Sequence, residues 1–179
     1  MAVTVSGKVS LDVLIREVLT SNAIKRGLQE HVYQLIKDLP NGTSDNQINR
    51  VYSKVETGIG ASVTTVYDLA GVLTDAEAAT ITFAEIVLVV LVNLSSTAAN
   101  HLLIGPDATN GFGVVASNRG FWADATDRNV AIADGESAVI LYSKQGVTVT
   151  AGSADEIAVV TQGGTSSNTW LILVVGRSA

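Results

Sequence analysis

The run IVLVVLV at residues 86–92 constrains this chain more than any other stretch. Seven apolar residues bounded by Glu85 and Asn93 fall far short of the roughly 20 that a helix needs to cross a bilayer. The run therefore reads as a buried strand. A strand with one wet face alternates apolar and polar side chains, so an unbroken run implies that both of its faces are covered. SAVILYS and TWLILVV, later in the chain, pose the same requirement. A central strand beneath a long loop would satisfy it, and so would a subunit interface.

Around these runs the chain is organised for β-structure. After Gly42 comes a turn-rich polar linker, NGTSDNQ, and from Val51 onward β-branched residues dominate, with Gly, Asn, Asp and Ser recurring every dozen or so positions. Strands are expected near 49–56, 62–69, 79–94, 100–104, 113–117, 129–133, 138–143, 147–151, 157–162 and 169–175. The connections KQG, AGSADE and QGGTSSN are short and suit antiparallel hairpins. With no helical pattern between the strands, the expected fold is mainly β: an antiparallel β-sandwich, jelly-roll-like, over 46–179.

The first 45 residues read differently. Ser10 can cap a helix with Asp12 in its first turn, where the helix dipole favours an anion. Further on, Ile24, Leu28, Val32, Leu35, Ile36 and Leu39 recur at steps of three and four, the spacing of an apolar helical stripe. Pro40, Asn41 and Gly42 would end it. Residues 1–45 are thus expected to form an N-terminal helical arm and linker, and the stripe Ile24, Leu28, Val32, Leu35, Ile36 is a candidate partner interface. The segment 46–75 would be the hinge between arm and sandwich.

Charge narrows the partners. Only 16% of the 179 residues are charged, against roughly 25% in typical soluble domains, which suits a chain that hides surface against copies of itself or a partner. The net charge of −6 is concentrated after residue 56, and a surface of that sign repels phosphate, so nucleic-acid and anionic-membrane binding are not expected. The start of the chain lacks a basic segment followed by an unbroken apolar stretch, so no signal peptide is expected. There is no cysteine, which removes disulfides and thiolate metal sites.

Candidates for chemistry are few. His31 and His101 lie in different regions without a metal-ligand partner at suitable spacing, and no nucleophile motif is present. Asp124, Asp127, Asp134 and Glu136 cluster, but not with the spacing of a calcium-binding loop; Asp at loop tips commonly bonds its own backbone. No catalytic residue, cofactor or metal is expected. Phe121 and Trp122, adjacent in a predicted loop, form a second candidate contact for a partner or a sugar, or else pack over a sheet edge.

The order of segments NGTSDNQINRVYS, VYDLAGVLTDAEAATITFAEIVLVVLVNLS, LLIG, SAVILYS, GVTVTAGSADEIAVV and NTWLILVVG resembles a family of small structural proteins of tailed bacteriophages, described as virion, head-decoration or tail-associated. In that pattern a strand ends in Asp-Leu-x-Gly, a Leu-Thr-Asp turn follows, and a long strand leads through Asn into a hairpin. The resemblance implies a homo-oligomeric capsid cement protein on the head surface, made in the host cytoplasm, with the major capsid protein as its partner. A tail or baseplate component fits the same resemblance. A carbohydrate-binding β-sandwich module is the reading from a different class.

Overall fold

The computed structural model describes residues 4–19, 27–75, 77–97, 99–114, 120–122, 130–135, 137–163 and 167–179, with backbone alone over 11–19 and 27–35. Its strands are β1 (Gly7–Leu19), β2 (Gly27–Leu39), β3 (Arg50–Ile59), β4 (Thr64–Asp68), β5 (Glu85–Asn93), β6 (His101–Pro106), β7 (Val130–Ile132), β8 (Ala138–Thr148), β9 (Glu156–Gln162) and β10 (Asn168–Arg177). Strands β3 to β10 form two four-stranded antiparallel sheets, ordered β3-β10-β5-β8 and β4-β9-β6-β7. Their pairs nest: β3 with β10, β4 with β9, β5 with β8 and β6 with β7.

Alternation along the strands builds the core between the sheets. Trp170, Ile172 and Val174 of β10, Val89 and Leu91 of β5, Leu102 and Ile104 of β6, and Ile157 and Val159 of β9 belong to one buried cluster. Trp170 Nε1 donates to the Tyr67 hydroxyl at 2.9 Å, so the indole nitrogen is satisfied inside it. Asn93, also fully buried, ends β5; its amide donates to the carbonyls of Asn100 (2.8 Å) and Ala133 (2.9 Å), tying the start of β6 to the end of β7.

Two expectations need correction. The N-terminal helical arm is absent from the described residues: β1 and β2 form a separate two-stranded antiparallel hairpin, in register from Gly7↔Leu39 to Leu19↔Gly27. A step of four is even, so Leu28, Val32 and Ile36 fit one face of a strand as well as one face of a helix. Val9, Leu11, Val13 and Ile15 alternate with period two, the pattern that decides for β.

The short connections are not the expected hairpins either. KQG lies inside β8, where Gly146 has φ +79 and the β5–β8 register shifts between Ile86 and Leu88. A glycine in the left-handed region absorbs such a bulge without turning the chain, so the two strands expected over 138–151 are one. AGSADE and QGGTSSN pass from one sheet to the other, because β9 lies opposite β8 and β10. Alternating patterns locate strands but do not name their partners.

Candidate assembly surface

The outward side of the β3-β10-β5-β8 sheet is apolar in three successive rows. Cross-strand register aligns Val55, Leu171, Val92 and Ala138, then Ser53, Leu173, Val90 and Ile140, then Val51, Val175, Leu88 and Tyr142. This arrangement answers the unbroken runs in β5, β8 and β10: one set of side chains enters the core and the other forms this second face.

The third row is the best covered. Leu39, Ile48, Val87, Leu88 and Val175 form a small buried cluster, with Val5, Val9, Val51 and Tyr142 packed against it, together with Val90 and Leu173 from the middle of the second row. The base of the hairpin therefore lies on the sheet through Val9 and Leu39. Val55 and Ile140, at the two edges of the other rows, are 52% and 51% exposed.

The linker is fastened to the sandwich, and 46–75, expected as the junction between arm and sandwich, contributes β3 and β4 to the two sheets. Gly42 N donates to Ile48 O and Ile48 N to Pro40 O, both at 3.0 Å, while Asn46, at φ +60, donates from its amide to Asp38 O at 2.8 Å and accepts from the Tyr142 hydroxyl at 2.8 Å. Arg177, 1% exposed, locks the same region. Its guanidinium donates to the carbonyls of Ser44 and Gln145 and pairs with Glu85, with Nε 2.8 Å from Oε2. Sequence reading missed Arg177, although an arginine closing an apolar strand is a visible signal that the charge has a partner.

The sequence-derived candidates are dispersed. Ile24 lies outside the described residues. Leu28 and Val32 share one face of the hairpin with Ile36, which is 42% exposed, whereas Leu35 is paired with Leu11 on the other face. Trp122 is buried in the core and Phe121 packs beside it and Phe112, edge to face, with ring centres 6.3 and 6.1 Å away. Of the two readings of this pair, packing against the sheet is the one the burial of Trp122 fits, and it takes Trp122 away from the candidate interface.

The family comparisons add no identification. No protein family, curated protein or solved structure matches this chain.

His31 lies on β2 of the hairpin and half-buried His101 begins β6 of the second sheet. Asp124, Asp127 and Glu136 lie outside the described residues, and Asp134 is described without them. Among the described residues no three His, Cys, Asp or Glu side chains group to hold a metal. Burial raises the Glu156 carboxyl above its ordinary range, and the nearby Asp107, Asp155 and Asp68 add to the effect. An open cleft of about 420 Å³ between β3 and β4 is lined by Tyr52, Lys54, Glu56 and Tyr67. Its polar lining includes an ion pair, Lys54 Nζ to Glu56 at 2.8 Å, that raises the Lys54 pKa, and two tyrosines whose hydroxyl pKa values burial raises, together with Ser53, Thr65, Thr74 and Asp75.

Proposed function

We propose that this chain is a structural protein of a tailed-bacteriophage virion, a cement or decoration subunit that stabilises the head by binding the major capsid protein. The observation that carries the reading is the apolar outer face of the β3-β10-β5-β8 sheet, open at Val55 and Ile140. A contiguous apolar face on a sheet marks a surface made to be covered by protein. The nested pairing of eight strands in two sheets is the winding of a jelly roll, an architecture of viral capsid domains, lectins and cupins.

Fold alone does not assign function, so the choice among these rests on the sites. A sugar platform needs an exposed aromatic, and Trp122 is 4% exposed. A shell subunit needs no reacting group; it adds modest contact area at each of many copies, and multivalency makes the sum strong. The segment order given above supports placing that shell in a phage particle, with the chain a homo-oligomer on the head surface. A tail or baseplate position is compatible with the same surface.

The test is quantitative mass spectrometry of purified particles of the virus that encodes the chain, before and after heads and tails are separated. The expected result is a copy number comparable to that of the major capsid protein, in the head fraction. Recovery with tails would move the protein to the tail, and absence from particles would overturn the virion reading.

A further inference from the structure

The hairpin raises a question of its own. Strands β1 and β2, 13 residues each, pair only with each other; at about 3.3 Å per residue they reach roughly 43 Å. An isolated two-stranded hairpin is marginally stable at best in water, so most of this length needs a partner. The cross-strand register places Val9, Leu11, Val13 and Ile15 on one face with Leu39, Lys37, Leu35, Tyr33 and His31. Val9 and Leu39 of that face already pack on the outer sheet of their own chain, against the cluster of Val87, Leu88 and Val175.

We propose that the hairpin of one copy lies across the open outer rows of the β3-β10-β5-β8 sheet of a second copy, and that the exchange is reciprocal. The occupant follows from continuity: the base of the arm already covers this sheet in cis through Val9 and Leu39, and Leu11, Val13, Tyr33 and Leu35 continue the same face before it turns polar. Area decides between one-sided and reciprocal contact. Strands about 4.8 Å apart and same-face neighbours about 6.8 Å apart give the two open rows roughly 260 Å², less than the arm face offers. A single arm-on-sheet contact buries on the order of 520 Å², the size of an incidental contact, whereas two related by a twofold bury about 1,040 Å², which reaches the lower bound for a specific interface. A closed twofold pair is therefore favoured over an open chain of copies. The exchange uses the same outer rows that carry the virion reading, and the two are tested separately: the dimer holds or fails on the isolated protein, the virion reading on purified particles.

Sedimentation velocity on the full chain tests it, alongside the variant Val55→Lys/Ile140→Lys. Both side chains are half exposed in the single chain, so the substitutions leave its core intact. The expected result is a wild-type particle of twice the 18.6 kDa chain mass and a variant of single-chain mass with an unchanged far-ultraviolet spectrum. A wild-type protein that remains single at high micromolar concentration overturns the proposal, as does a variant that still dimerises. Because the chain has no cysteine, a second arm is clean even if the lysine variant misfolds. Singly substituted Leu11→Cys and Val90→Cys chains, mixed and oxidised, should cross-link to each other in preference to themselves. Absence of that preference contradicts arm exchange.

Discussion

Arg177 joins three parts of the chain with one guanidinium: Glu85 at the start of β5, Gln145 in the β8 bulge and Ser44 in the linker. A buried charge that loses its partners, or partners that lose their charge, cost several kcal/mol. Arg177→Met should lower unfolding stability by about 3 kcal/mol in urea titrations, with proteolytic nicking near 40–46 as the local sign that the linker has come loose. Gly146 meets the same group, since a Cβ there would stand 2.7 Å from Arg177 Nη2 on a backbone at φ +79. Gly146→Ala should cost about 2 kcal/mol, from left-handed strain plus displacement of the arginine. Tyr67 gives a pH signature. Burial raises its hydroxyl pKa well above the ordinary value of 10.0, so folding favours the protonated form. Its contribution is complete below pH 10 and is lost as pH rises from there towards the folded-state value. Above pH 10, stability should fall by about 1.4 kcal/mol per pH unit from this residue. Tyr52 and Tyr142, also raised by burial, add to the fall, so the diagnostic is the difference between wild type and Tyr67→Phe. The variant should show a shallower alkaline slope together with a loss of about 1–3 kcal/mol at neutral pH from the unpartnered Trp170 nitrogen.

At the level of elements, the hairpin should be separable from the sandwich, since β1 and β2 make no ladder with either large sheet. Replacing 7–39 by a short Gly/Ser linker should leave the β-rich circular dichroism spectrum and a cooperative melt, with increased binding of an apolar dye at the uncovered Val87, Leu88 and Val175. Loss of cooperative unfolding would show that the arm belongs to the core. The sandwich itself was legible in the sequence, because runs such as TWLILVV with turn residues between them admit few alternatives to stacked sheets. The arm was misread because steps of four satisfy helix and strand equally, and Leu28, Val32 and Ile36 are spaced by four. The β8 bulge was misread because glycine at a positive φ serves a turn and a bulge alike. Partner order was not legible at all: β5 lies between β8 and β10, and no local pattern encodes such distant neighbours.

At the scale of the molecule, the outer sheet face and the arm are apolar surfaces, among the described residues, that the main core does not use. The requirement for a second covered face is visible in IVLVVLV; its location is not, because register assigns Val90 and Val92 outward and Val89 and Leu91 inward. Low charge content agrees with surfaces reserved for protein contact. On the proposed reading, this chain works by burying those surfaces against other chains. Hydrogen–deuterium exchange of the full-length protein at nanomolar and at high micromolar concentration addresses it directly. The amides of 7–39 should exchange quickly in the dilute sample, as a lone hairpin does, and become protected in the concentrated one, while the β9 and β6 amides stay equally protected in both. Equal exchange of 7–39 at the two concentrations, fast or slow, would contradict the claim.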